Sequence, residues 1–298
     1  MVNIGTGELS NSIATIVAAE ALGYLKANTV MSRLVNRDWD NEVATHGQTI
    51  KIPYGGALSA NDKAADTVIT LQTPSDAAYT VTLNKHKEVS FLIEDIGKAL
   101  ARPDWIERYL LDGMGVLAEQ IDGDLTALYS GLSQTIDATL GLGEDDFREA
   151  RRLLNAAKAP MANRRAVLHE DAEFEALGID RIINRDYAES LGSMAADSYV
   201  NRAYGFDIFL DQKVTVAATQ AKNLFFHRDA FVIATRPLPS APEGAGVIQR
   251  VMDEDGMGLR VTVSYDHDHL GVKVTIDVLY GVAELRDNHG VVVSTTEI

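Results

Sequence analysis

PDWIERYLLDGMGVLAEQIDGDLTALYS, residues 103–130, is the longest periodic stretch of the chain. Pro103 suits the first turn of a helix, where its missing N–H costs nothing, and Asp104 and Glu107 favour the positive end of the helix dipole. Ile106, Leu110, Met114, Leu117, Ile121, Leu125 and Leu128 then recur at steps of three or four. That spacing places them in one apolar stripe along a helix of roughly 40 Å, at 1.5 Å per residue. Gly113, Gly115 and Gly123 each cost up to about 1 kcal/mol relative to alanine. They are expected where another backbone approaches closely or the helix bends. A long helix with one narrow stripe is expected to lie across a sheet as a spine.

On the N-terminal side, residues 10–27 read as a helix. Ser10 or Ser12 can cap it, and Ile13, Ile16, Val17, Ala21 and Tyr24 follow helical spacing, with Glu20 the polar exception. Val30 to Trp39 is mixed in pattern, so this region reads as an arm. Thr49 to Glu94 has the texture of strands and turns. Thr49–Pro53 is a short strand bounded by Gly55 and Gly56. Thr67–Leu71 and Tyr79–Leu83 are β-rich runs joined by Thr73-Pro74-Ser75-Asp76, and Val89–Ile93 is a further run. A thin hairpin of this composition buries little by itself and needs a partner surface, in its own chain or a neighbour.

On the C-terminal side, Glu144–Ala157 reads as a helix with Phe147, Ala150, Leu153, Leu154 and Ala157 on one face and Pro160 as its stop. A strand at Arg165–Leu168, a helix from Asp171 to Leu177, an irregular stretch from Ile179 to Val200 and a strand at Gly205–Leu210 follow, the pattern of an α/β unit. The remainder is β. Leu259, Val261, Val263 and Tyr265 alternate with polar residues, as do Val272, Val274, Ile276, Val278 and Tyr280, so the two runs read as a hairpin with one buried face. Val291–Ser294 is a last short strand.

The 298 residues suffice for one large domain or two modest ones. No apolar run approaches the ~20 residues of a membrane-spanning helix. Glu8 and Glu20 interrupt the first thirty residues, which do not have the pattern of a signal peptide. There is no cysteine, which excludes disulfides, thiolate metal sites and a cysteine nucleophile. The 27 basic and 43 acidic residues give a formal charge of −16, against the basic face of a protein built to grip phosphates.

Chemistry-bearing motifs are few. Asp266-His267-Asp268-His269 has the side chains of a metal site but reads as the polar tip of the last hairpin. Gly5-Thr6-Gly7 and Gly55-Gly56 lack the spacing of a phosphate loop, and Glu144–Asp146 after Gly141-Leu142-Gly143 would repel a pyrophosphate. None of the seven histidines accompanies a nucleophile motif. Asn163-Arg164-Arg165 and Lys85-His86-Lys87 read as solvated or ion-paired surface, or as contacts between subunits.

Three stretches carry a family resemblance. One is Leu153-Leu154-Asn155 with Pro160, Asn163-Arg164 and Ala166-Val167-Leu168. A second is Gly205-Phe206-Asp207 with Lys213-Val214. The third runs from Asn223-Leu224-Phe225-Phe226-His227-Arg228-Asp229-Ala230-Phe231 through Ala234-Thr235-Arg236-Pro237-Leu238-Pro239, with Ile276-Asp277-Val278-Leu279-Tyr280-Gly281-Val282 after it. With the order of elements, they make the chain resemble tailed-bacteriophage major capsid proteins of the Hong Kong 97-type fold, in the short-tailed-phage coat protein branch. The resemblance implies an α+β fold: an N-terminal arm at 1–47, an extended hairpin or E-loop at 48–93, a peripheral domain with the spine helix at 94–141, an axial α/β domain at 142–245, and return strands at 246–298. It implies a coat protein that assembles as pentamers and hexamers into an icosahedral head around double-stranded DNA. It further implies a separate scaffolding protein, a portal, assembly in the host cytoplasm, and no catalysis, cofactor or metal. An encapsulin-like compartment shares the fold and is the alternative, and a metal-dependent hydrolase at Asp266–His269 is a further rival. Lys63, Lys85 and Lys87, in the expected hairpin, are the candidate contacts with acidic surface on a neighbouring subunit.

Overall fold

In a computed structural model of the chain, the described residues are 21–22, 25, 29–39, 49–55, 58–73, 76–95, 105–179, 202–242, 247–254 and 257–296. The periodic stretch forms helix α2, Trp105–Thr126, after a single-turn helix α1 at Met31–Leu34, and a 3-10 turn at Ala127–Gly131 ends it. Met114, Leu117, Ile121 and Leu125 of its stripe are buried. Of the helical glycines only Gly113 serves close packing: a β carbon there would lie 3.0 Å from Val89 Cγ1, whereas Gly115 and Gly123 face open space.

The stripe packs between two sheets. One is antiparallel and five-stranded, with β13 (Gly271–Glu284) at its centre. β13 pairs with β12 (Met257–Asp266) and then β10 (Phe231–Arg236) along one edge, and with β3 (Lys85–Glu94) along the other. β11 (Val247–Glu254) extends the sheet beyond β12. The expected hairpin is present, with Val261 opposite Ile276 and Val263 opposite Val274. The other sheet is mixed and seven-stranded. Its path is β4 (Thr135–Ala138), β14 (Gly290–Thr296), β9 (Gln220–His227), β5 (Arg164–Leu168), β7 (Phe206–Leu210) and β6 (Arg202–Ala203), and β8 (Val216–Ala217) pairs with β9.

Strands buried on both faces need continuous apolar runs rather than alternation. β9 shows how the run is divided. Leu224 and Phe226 join the core that holds the spine helix, together with Val261, Ile276 and Tyr280 of the other sheet. Phe225 points the other way, into a second core with helices α3 (Glu144–Ala156) and α4 (Glu170–Leu177), where Phe147 and Phe206 meet it edge-on. Asn223, buried in the same strand, is fully used: it accepts from the His169 N–H (2.7 Å) and donates to Val293 O and Thr295 Oγ1.

Two local sequence expectations change, at residues 67–83 and at Arg164. The runs at 67–71 and 79–83 do not pair. Instead β1 (Thr49–Gly55) pairs with β2 (Asp76–Thr82), Thr49 opposite Thr82, leaving 58–73 without strand structure. β3 pairs with β13 in the five-stranded sheet and not with β1 or β2. β4 lies in the seven-stranded sheet and β10 in the five-stranded one, and the chain passes between the two sheets at the 3-10 turns Ala127–Gly131, Arg228–Ala230 and Asp287–His289. Arg164 is neither solvated nor an exposed contact: it is 3% exposed, and its guanidinium donates to the carbonyls of Ala159 (2.7 Å) and Pro160 (2.8 Å) at the end of α3. The expected helix at 10–27 and the irregular stretch at 179–200 fall almost wholly outside the described residues.

Candidate assembly interface

The β1–β2 ribbon is anchored at its root. Ile50, Ile52, Val81 and Leu83 bury against Val232, Ala234 and Leu285 beside the five-stranded sheet. The approach is close because β13 carries Gly281 here. A β carbon at that position would run into the backbone of Thr82 and Leu83. Farther out, Tyr54 and Tyr79 stack with ring centroids 4.3 Å apart.

Beyond the ribbon, every residue from 58 to 73 is exposed. Gln72 closes the neck of this loop, accepting from the Ser59 N–H (2.8 Å) and donating back to Ser59 O (2.5 Å). The apolar residues of the tip find no cover: Leu58, Val68, Ile69 and Leu71 are 65%, 89%, 65% and 85% exposed. Scattered exposed apolar residues are ordinary, but four on one projecting loop form a surface suited to a partner. Lys63 belongs to this loop. Its ammonium donates to Ala64 O (2.8 Å) and Thr67 Oγ1 (3.4 Å), leaving it solvated.

Lys85 and Lys87 are placed differently. Along β3 the odd positions from Lys85 to Ile93 turn toward the spine helix and the even positions outward. Lys85 is half-buried and forms an ion pair of 3.0 Å with Asp124 on α2. Asp124 also accepts from the Tyr280 hydroxyl (2.6 Å), whose ionisation is strongly disfavoured by burial and by that carboxylate. Lys85 thus has an acidic partner within its own chain. Lys87 is half-buried on the same face. The three lysines are not brought together: Lys63 is on the tip and the other two are in the sheet.

At the last hairpin, Asp266 caps its own turn. It accepts from the N–H groups of Asp268 (2.9 Å) and His269 (3.3 Å) and contacts the His269 ring at 3.1 Å. These bonds hold the Asp266 carboxyl below the usual range. Among the described residues no three His, Asp or Glu side chains converge on one point.

The buried acids lie elsewhere. Asp122 on α2 accepts from the N–H groups of Val30 (2.7 Å) and Ser32 (3.4 Å), tying the arm's single helical turn to the spine helix. Burial pushes its carboxyl up to about 7, and burial likewise raises that of Asp211, just after β7. Sequence reading missed both. The one available signal was an aspartate one residue after Ile121 of the apolar stripe.

This mixed α+β chain superposes along most of its length on solved structures that include phage capsids. A chain from Mycobacterium phage Che8 is 18% identical and superposes with a TM-score of 0.68, covering 89% of this chain and 90% of that one. The capsid structure of the cyanophage P-SCSP1u gives 15% identity and 0.63, covering 91% and 89%. The holo-SrpI encapsulin complex from Synechococcus elongatus is more distant, at 13% identity and 0.50, covering 88% of each chain. At these identities the likeness is one of fold. No family model and no curated protein sequence matches the chain.

Proposed function

We propose that this chain is the major capsid protein of a tailed double-stranded DNA bacteriophage, forming the pentamers and hexamers of an icosahedral head. The observation that carries the reading is the apolar tip at 58–73, which has no cover among the described residues, on a fold shared along nearly its whole length with phage capsid subunits. In this reading the fold is of the Hong Kong 97 type. The β1–β2 ribbon and its tip are the E-loop, the five-stranded sheet with the spine helix is the peripheral domain, and the seven-stranded sheet with α3 and α4 is the axial domain. Lys63, Lys85 and Lys87 are the basic residues offered to a neighbour, Lys85 in addition to its pair with Asp124 in its own chain. The chain works in the virion as a structural protein, with a scaffolding protein and a portal as partners in assembly. Its charge of −16 suits a wall that must not bind the packaged DNA tightly.

Shell assembly sums many modest contacts over many copies. The test is negative-stain electron microscopy and light scattering of the expressed chain, alone and with the candidate scaffold. Closed particles or capsomers are expected. A species that stays monomeric at high concentration in both conditions rejects the reading. The encapsulin neighbour supports a second reading, a cellular compartment. Mass analysis of particle contents separates them, because a compartment holds protein cargo where a phage head holds DNA.

A further inference from the structure

The arm meets the spine helix at a turn that cannot cap itself. α1 begins after Val30, which offers no side-chain oxygen to the free N–H groups of the first turn. Asp122 of α2 supplies the acceptor from 92 residues away: Oδ2 takes the Val30 N–H (2.7 Å) and Oδ1 the Ser32 N–H (3.4 Å). The hydroxyls of Thr29 and Ser32 are buried without partners, so the Asp122 bonds are the polar attachment of this turn to α2 among the described residues. The apolar seat is separate. Met31 and Leu34 lie in the core with Leu117 and Ile121 and do not titrate. Asp122 is 2% exposed, and no cation answers its charge among the described residues. Lys213, which shares its cleft, is turned to Glu119 at 2.9 Å, and Arg33 of α1 is exposed. The side chain that does act on Asp122 is a second buried acid, Asp211. A buried carboxylate without a counter-charge favours its protonated form. Burial is the main cause at Asp122, opposed by the Val30 N–H, reinforced by Asp211, and opposed again by the N–H groups of Ser32 and Met31, and the balance lies at about 7.

We propose that Asp122 is a pH-sensitive latch on the arm: neutral, it holds the turn at Val30–Ser32 against the spine helix, and ionised, it lets that turn loosen while the apolar contacts keep the arm seated. The docked turn raises the carboxyl above its value in an opened arm. The latch is therefore fully closed below about pH 4 and is lost as pH rises through about 7. Asp122 lines the cleft between α2, Val30 and the segment after β7, which gives a proton a route to it. The effect is local to the arm and does not depend on shell assembly.

The experiment is hydrogen–deuterium exchange on the dispersed full-length chain at pH 5 and pH 8, each rate taken relative to the intrinsic rate of that amide at the same pH. Protection at Val30 and Ser32 should fall by about tenfold or more from pH 5 to pH 8, because each unit of pKa difference is about tenfold in the docking equilibrium. Protection at Leu224 and Phe226 of β9, in the shared core, should not fall. Asp122→Asn keeps an acceptor oxygen but carries no charge, so in this variant the turn should be equally protected at the two pH values. A fall that persists in Asp122→Asn overturns the proposal, as does equal protection of the wild-type turn at pH 5 and pH 8. Should Asp122→Asn fail to fold, the wild type decides: a fall confined to the turn upholds the latch, and a fall shared by β9 rejects it.

Discussion

Lys85 shows how one residue's role follows from the parity of its strand. In Lys85-His86-Lys87-Glu88-Val89-Ser90-Phe91-Leu92-Ile93 the lysines share odd positions with Val89, Phe91 and Ile93, and a strand sends odd and even residues to opposite faces. The inward direction of Lys85 was therefore legible. Its acid was not, since Asp124 is 39 residues away on a helix whose packing no local pattern specifies. Lys85→Glu should lower the stability of the isolated subunit by on the order of 1 kcal/mol or more, because it sets two carboxylates against each other beside the Tyr280 hydroxyl. Lys63→Glu, on the solvated tip, should change it by less than about 0.5 kcal/mol. Denaturant melts of both variants check this, and equal midpoints would mean that the Lys85–Asp124 pair contributes nothing. A second residue-scale effect concerns pH. His227 and His289 meet edge to face, 5.7 Å apart, where the chain passes between the two sheets. Burial depresses both pKa values, Arg164 and Arg286 depress them further, Arg165 adds to this at His227, and Asp229 opposes. Their neutral forms belong to the folded state, so this contribution is present above about pH 6.5 and is lost as pH falls through the depressed values. Stability should drop from about pH 7 to about pH 5, and His227→Gln with His289→Gln should flatten that slope. An unchanged slope in the double variant would show that carboxylates elsewhere account for all of it.

Elements were legible where one period governs and obscure where a strand changes sheet. The spine helix and the β12–β13 hairpin emerge from spacing alone, because their apolar faces are single and continuous. The separation of β9 from β10 does not, since Asn223 to Arg236 reads as one β-rich run and only the 3-10 turn at Arg228–Ala230 moves the chain to the other sheet. The same crossing recurs at Asp287–His289 between β13 and β14. Each sheet is assembled from segments far apart in the chain, which no local pattern shows. Two element-scale outcomes follow. Leu117→Ala or Ile121→Ala should each cost about 2–5 kcal/mol, measured by denaturant unfolding, because both side chains sit in the core shared by the two sheets. Gly281→Ala should cost about 1–3 kcal/mol, since what its methyl meets is backbone, which cannot rotate away. The damage should be local: limited proteolysis should open the β1–β2 ribbon before the rest of the subunit. Protection of the ribbon equal to wild type would mean that the sheet shifts to accept the methyl.

At the scale of the whole molecule, the surface proposed for assembly is separate from those that hold the fold, and the tip allows the two to be tested apart. Leu58, Val68, Ile69 and Leu71 contribute nothing to any core of the described chain, and the loop that holds them is closed at its neck by Gln72 and Ser59 rather than by packing. Replacing all four with serine removes apolar surface that is already in water, so the subunit's unfolding midpoint should stay within about 0.5 kcal/mol of wild type. In a shell the same side chains would be covered by a neighbour, and burying an aliphatic side chain of this size is worth about 1.5–3 kcal/mol. Four such losses recur at every copy of a repeated contact, which is enough to suppress closure even after a large discount for the entropy of association. The expected result is a folded, soluble chain that makes no particles, read by light scattering and negative-stain microscopy beside the melting curve. Lys63→Glu should have a weaker, salt-dependent effect on the same readout, because screening at high ionic strength shortens the reach of a surface charge to about 3 Å at 1 M. If the serine variant instead unfolds, the loop is part of the subunit's core. If it assembles like wild type, the contact between subunits lies on another face, and the apolar tip is not what joins one copy to the next.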